Sequence, residues 1–259
     1  MSKIKLIACD LDGTLRPSDR ADIPDYNREA VERAKRAGIL FCPATGRSFA
    51  SCRGLVGDMA DSAWCITENG GTIYAPGEKI AATREFDAVM GEEIFHHILS
   101  RPENEIMITG GGISFVRRSA VEFERYLREE IFEKTGFADS YGELPVSPVK
   151  ISAFCPDSSV MYGILSPGWT ERCNVTIAGD WWVDFTIADK GTGVEDLCRH
   201  LGILPENVMA IGDNFNDIPM LNYAGHPVIM ESATAELREQ YHVSCATVAQ
   251  AIDMAISGC

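Results

Sequence analysis

Strand-like and helix-like segments alternate at both ends of this 259-residue chain, and that alternation predicts an α/β fold built on a doubly wound parallel sheet. Two further observations sharpen the expectation. The strand-like runs are almost continuously apolar, as strands buried on both faces are. Between about residues 82 and 187 the texture changes to charged helical stretches and shorter strands, which reads as an inserted α+β domain. The expected organisation is a core of residues 1–81 and 188–259 interrupted by an insert at 82–187, with a hinge pair near residues 80–84 and 186–189.

Each element has its own reason. Ile4-Lys5-Leu6-Ile7-Ala8-Cys9 is the first strand. Pro24 to Ala37 carries Ala30, Val31, Ala34 and Ala37 at helical spacing, with proline at its start and Gly38 just past its end. Ile39–Ala44 follows as a strand and Ser48–Met59 as a helix, and Trp64–Thr67, Gly70-Gly71 and Thr72–Tyr74 form a hairpin signal. In the insert, helices are predicted at Val89–Ser100 and Ala120–Lys134. Strands are predicted near Glu105–Thr109, Ile113–Val116, Lys150–Phe154, Asn174–Ala178 and Trp181–Ile187. Gly110-Gly111-Gly112 reads as a hairpin turn, because no helix clearly follows that would make it a phosphate loop. Alternation in the last strand puts Trp181, Val183, Phe185 and Ile187 on one face, and Trp182, Asp184 and Thr186 on the other. That mixed face reads as plain sheet surface, with a sugar platform as the alternative. Helix Thr192–Gly202, strand Val208–Ile211, helix Ile218–Tyr223, strand Pro227–Met230 and a closing helix or two complete the chain.

Composition narrows the function. A hydrophobic content of 46% supports one large core or two modest ones. A formal net charge of −15 argues against nucleic acid or an anionic membrane as partner, since both require a basic footprint. It also means that any phosphate site must supply its own local positive charge. Nine cysteines, widely spaced and without a C-x-x-C pair, do not read as a zinc or disulfide framework; several fall in strand-like runs, where cysteine behaves as a small hydrophobe. No signal-peptide block precedes the first strand and no apolar run reaches spanning length, so a soluble, cytoplasmic protein is expected.

The strand ends carry the chemistry. Asp10-Leu11-Asp12-Gly13-Thr14-Leu15 puts two carboxylates and a glycine at the end of the first strand. Ala44-Thr45-Gly46-Arg47 ends the second, Asp189-Lys190-Gly191 opens a helix, and Gly212-Asp213-Asn214-Phe215-Asn216-Asp217 ends a third. In open α/β sheets reactions sit at the carboxyl ends of strands, and carboxylates there are costly to leave unpaired. In this order, and together with Glu68-Asn69-Gly70-Gly71, these segments resemble the signature motifs of the haloacid dehalogenase superfamily, most closely its Cof-like phosphatases with a type IIB cap. The resemblance runs from about residue 3 to about residue 235 and is weaker in the middle. Relatives commonly carry glycine where this chain has Ala188, a departure that removes no reagent.

The resemblance implies Mg²⁺-dependent hydrolysis of a small phosphorylated metabolite, with a sugar phosphate expected. Asp10 would be the carboxylate nucleophile and Asp12 the general acid and then base. An all-oxygen site suits Mg²⁺; its implied ligands are Asp10, the backbone carbonyl of Asp12 and Asp213, with Asp217 acting through water or orienting Lys190. Lys190, the Thr45 hydroxyl and the Gly46 amide would hold the phosphoryl group, and Asn216 would add a contact to substrate or water. Arg47 would face substrate or anchor the helix start. Glu68 and Asn69 read as turn residues, with Asn69 also able to look into the cleft. Arg117-Arg118 reads as a solvated pair before a second anion site, and the five histidines show no ligand spacing. A phosphosugar mutase on the same scaffold, or a phosphate-ligand sensor with vestigial chemistry, are the alternatives. Oligomeric state is not legible.

Overall fold

A computed structural model describes residues 4–258. Along the chain run β1 (Leu6–Cys9), α1 (Asp25–Arg36), β2 (Leu40–Pro43), α2 (Phe49–Val56), α3 (Met59–Ser62), β3 (Cys65–Thr67), β4 (Thr72–Ala75) and β5 (Lys79–Thr83). They are followed by α4 (Ala88–Leu99), β6 (Glu105–Gly110), β7 (Ile113–Val116), α5 (Val121–Glu130), β8 (Thr135–Phe137), β9 (Lys150–Phe154), α6 (Ser158–Leu165), β10 (Asn174–Ile177) and β11 (Trp182–Thr186). The chain closes with α7 (Lys190–Leu201), β12 (Val208–Gly212), α8 (Ile218–Tyr223), β13 (His226–Met230), α9 (Ala235–Arg238), β14 (Ser244–Cys245) and α10 (Val248–Ser257).

The first sheet is parallel throughout, in the order β14-β13-β12-β1-β2. Its strands are short and apolar because helices cover both faces. Ile7 and Cys9 of β1 pack with Ala30, Val31 and Ala34 of α1 and with Ile252 of α10, while Leu6 and Ala8 pack with Val194 and Leu197 of α7 and Leu221 of α8. This is the doubly wound arrangement the alternation predicts. Placing β1 between β12 and β2 sets Asp10, Thr45 and Asp213 at three adjacent strand ends.

The second sheet has the order β10-β11-β9-β6-β7-β8 and is antiparallel except between β7 and β8. One face buries Ile106, Ile108, Phe115, Ile151, Ala153, Val183 and Phe185 against Ile94 and Ile98 of α4 and Met161 and Leu165 of α6. On the other face α5 packs Phe123 and Leu127 over Met107 and Val116. A third sheet, β3-β4-β5, extends the predicted hairpin by one exposed strand that the sequence did not reveal.

Several expectations change at their edges. The helix expected over Ser48–Met59 breaks at Gly57, whose backbone (φ 61°, ψ −139°) cannot continue a helix. The one expected to reach Lys134 stops at Glu130, and the one expected from Thr192 begins at Lys190, capped by Asp189, whose carboxylate accepts from the Thr192 amide at 2.7 Å. Trp181 and Ile187 fall outside β11. Helix α6 was missed although Asp157 caps it, accepting from the amides of Ser159 and Val160 at 3.0 Å. The Gly110-Gly111-Gly112 run is the β6–β7 turn. The described cysteines are free thiols, most of them buried, and no helix among the described residues is long and apolar enough to cross a membrane.

Candidate active site

After β1 the chain turns back sharply: the Gly13 amide donates to the Arg16 carbonyl, and the amides of Leu15 and Arg16 donate to the carbonyls of Asp10 and Leu11. Gly13 adopts φ +93°, and a Cβ there would collide with the Asp213 carboxylate, so only glycine lets β1 and β12 deliver their acids side by side. Thr14 donates to Asp213 Oδ1 at 2.6 Å and orients it.

Asp10 is buried, and Lys190, itself only 1% exposed, donates to its Oδ1 from behind. The same ammonium donates to Asp217 Oδ1 at 2.6 Å. Burial pulls the Lys190 ammonium down, but the two carboxylates more than restore it and hold the lysine charged. Burial, reinforced by Asp217, pushes the Asp10 carboxyl well up despite Lys190, and burial likewise raises Asp213. Asp10, Asp213 and Asp217 each place an oxygen within 4.8 Å of the others. Three carboxylates facing one ammonium leave two negative charges uncancelled, and an all-oxygen donor set of that charge fits a hard divalent cation. Asp217 spends Oδ2 on the amides of Asp213 (2.9 Å) and Asn214 (3.0 Å), which suits an orienting role.

Asp12 faces the other way. Arg47 donates to both its oxygens, from Nε at 2.7 Å and from a terminal nitrogen at 3.0 Å, and Arg16 donates to Oδ1. Burial pushes the Asp12 carboxyl up, but the Arg47 and Arg16 guanidinium groups outweigh it and hold it below the usual range. With its carboxylate so engaged, any metal ligand from Asp12 is its backbone carbonyl. Of the two roles weighed for Arg47, anchoring the helix start is met, since it donates to Ser51 Oγ in the first turn of α2 at 2.8 Å; it also lines the cavity, where its partner is Asp12.

Thr45 follows β2, its amide donating to the Ile66 carbonyl at 2.9 Å. Its hydroxyl accepts from the Arg47 amide at 3.1 Å, so its own proton stays available for an anion. Glu68, Asn69 and Gly70 all adopt positive φ (49°, 54° and 93°), a tight turn whose Gly70 lies against the Asp189 carbonyl at the start of α7. The turn thus sets the helix end that carries Lys190. Asn69 also looks into the cleft, and its buried Oδ1 has no partner.

A cavity of about 880 Å³ lies between the two sheets. Its floor includes Asp10, Asp12, Thr45, Gly46, Arg47 and Asn216; its roof includes Lys150, Trp182 and Asp184 from the antiparallel sheet, so the mixed face of β11 is a cavity wall and not plain surface. Lys150, which sequence reasoning passed over, is 4% exposed and donates to the Gly46 carbonyl at 2.8 Å. Its signal was a lysine in register with Ser152 on one face of a strand whose other face, Ile151 and Ala153, is apolar. Arg117 and Arg118 are elsewhere, paired with Glu105 and with Asp139 and Glu143.

Comparison with known proteins places the chain in a family. The family model described as haloacid dehalogenase-like hydrolase matches residues 7–252. The chain is 26% identical over 242 residues to the 5-amino-6-(5-phospho-D-ribitylamino)uracil phosphatase YbjI of Escherichia coli, covering 89% of this chain and 86% of that protein. It is 27% identical over 267 residues to YwtE of Bacillus subtilis, a phosphatase of the same name, with coverage of 92% and 91%. The fold also superposes on the HAD subclass IIB sugar phosphatase BT4131 with a TM-score of 0.78 at 22% identity, covering 96% and 98% of the two chains. The protein belongs to the haloacid dehalogenase-like hydrolases, within their Cof-like phosphatase branch.

Proposed function

We propose that this protein hydrolyses small phosphate monoesters, sugar phosphates among them, through a phosphorylated Asp10, with Mg²⁺ held by Asp10, Asp213 and the Asp12 carbonyl. The observation that carries the reading is the position of Asp10: at the cavity floor, gripped from behind by Lys190, with Thr45 and Asp213 on the flanking strand ends. Phosphate esters resist attack because their anionic oxygens repel nucleophiles. When bound, Mg²⁺ would screen that repulsion and the charge that develops on the phosphoryl oxygens.

Asp10 attacks phosphorus, the bond to the leaving oxygen breaks, and that oxygen takes a proton from Asp12. Water then attacks the acyl-phosphate, gives its proton to the Asp12 carboxylate and frees Asp10. The arginine clamp keeps Asp12 ionised, so in either step one oxygen must exchange a guanidinium for the proton it gives or takes. Residues 82–187 would form the cap that closes over this chemistry, hinged beside the Arg84–Asp196 ion pair, whose bonds are 2.7 and 3.0 Å. The two curated relatives are named for a ribityl phosphate substrate, which supports a phosphorylated metabolite of that general kind here.

The test is phosphate release from p-nitrophenyl phosphate and a sugar-phosphate panel, with Mg²⁺ and with EDTA. Release that needs Mg²⁺ and falls at least about 10⁴-fold in folded Asp10→Asn is expected; near-normal turnover by that variant would sink the mechanism.

A further inference from the structure

The cap sheet uses its two faces differently. The face turned from the catalytic floor is apolar. On the face above the floor, register places Thr176 beside Asp184 and Asp184 beside Ser152, and in the next row Lys150 beside Thr109. Asp184, Ser152 and Lys150 are all buried, and Ser152 donates to Asp184 Oδ1 at 2.7 Å. Lys150 lies 3.8 Å from Asp184 Oδ2 while bonded to the Gly46 carbonyl, so this group is tied to the phosphate loop. Two buried oxygens on the cavity wall have no partner: Thr176 Oγ1, and Oδ1 of Asn69, which is 6% exposed. Buried polar atoms are rarely left unpaired without a ligand or water to meet them.

Resting on the phosphatase reading above, we infer that Asp184, Lys150, Thr176 and Asn69 form the leaving-group subsite, and that it takes an uncharged polyhydroxyl chain and rejects a second anion. Carboxylate and amide oxygens accept, and vicinal hydroxyls supply the matching donors. The charges on the roof explain the rejection. Glu133, Asp180 and Asp184 line it against the single cation Lys150, and both arginines of the cavity are committed to Asp12. A carboxylate or second phosphate on the leaving group would meet like charge on a roof whose lysine is already engaged by the Gly46 carbonyl.

Erythritol 4-phosphate and 4-phosphoerythronate share a skeleton and differ by one carboxylate, so they are the probes. The wild type should favour the polyol by at least about tenfold in kcat/KM. Asp184→Asn should shrink that margin at least about threefold, and Thr176→Val should raise KM for the polyol with kcat held. Calorimetric binding of both esters to Asp10→Asn separates the two claims. A protein that releases no phosphate yet binds the polyol tighter by the same margin overturns the phosphatase reading and keeps the subsite. Equal use and equal binding of the two esters, or a margin unmoved by Asp184→Asn, overturns the subsite.

Discussion

In the parallel sheet the three central strands β12, β1 and β2 hold no charged side chain, and the polar residues Asp10, Thr45 and Asp213 crowd just past one end. In the antiparallel sheet, polar side chains run across the middle of one face, from Thr176 through Asp184 and Ser152 to Lys150. Helices explain the difference. Both faces of the parallel sheet are covered, so only strand ends are left for charge. The antiparallel sheet is fully covered on one face and partly on the other, so its open half can line a cavity. On the proposed reading, one sheet concentrates reagents at a point, as bond-breaking needs, and the other spreads weaker contacts over an area, as recognition of a variable group needs.

Four changes test that contrast, from the largest expected effect to the smallest. Lys190→Met would leave three clustered carboxylates without their ammonium, so about 3–5 kcal/mol of stability should be lost in EDTA, read by urea unfolding. Native stability there would mean that the strand ends are not electrostatically loaded. On the covered cap face, Phe185→Ala should cost about 3–5 kcal/mol through the cavity it leaves, while turnover by the folded fraction stays near wild type. A selective loss of substrate affinity instead would erase the distinction between the two faces.

The third change concerns Glu68, in the turn that joins β3 to β4. Its carboxyl is pushed from an ordinary 4.5 up to about 7 by burial, against the pull of the Thr67 hydroxyl and Lys150. The folded state therefore keeps a proton that the unfolded state releases between those values. Stability should fall as pH rises from about 4.5 to about 7, by roughly 3 kcal/mol at most, and stay lower above that. Glu68→Gln should flatten the curve in denaturation series at pH 5 and pH 8; an unchanged slope would assign it to other groups. Last, Thr14→Val removes the hydroxyl that orients Asp213 and should raise the Mg²⁺ concentration for half-maximal activity about 10–100-fold. A smaller shift would mean that Gly13 and the strand ends alone position Asp213.

Much of the strand-end chemistry was legible because it is local. Asp10 and Asp12 sit two residues apart after an apolar run, Lys190 follows a capping aspartate, and the Asp213–Asp217 segment ends another apolar run. Arg47 was visible as a residue, but its partner was not, because Asp12 is 35 positions away. Lys150 stayed hidden for the same reason: its acceptor lies 104 residues upstream. The alternation of β11 separated its faces correctly, yet nothing within that strand says which face meets a helix and which meets a cavity.

By itself the sequence determined the α/β class, the main strands and helices and which polar residues follow the strands, because backbone periodicity, capping and turn chemistry act over a few residues. The tertiary structure alone decided that β1 lies between β12 and β2, that Arg47 and Arg16 clamp Asp12, and that the polar half of the antiparallel sheet lines the same cavity as Asp10 and Asp12. Those outcomes depend on which distant surfaces bury one another, a balance of packing and desolvation that no short stretch of chain contains.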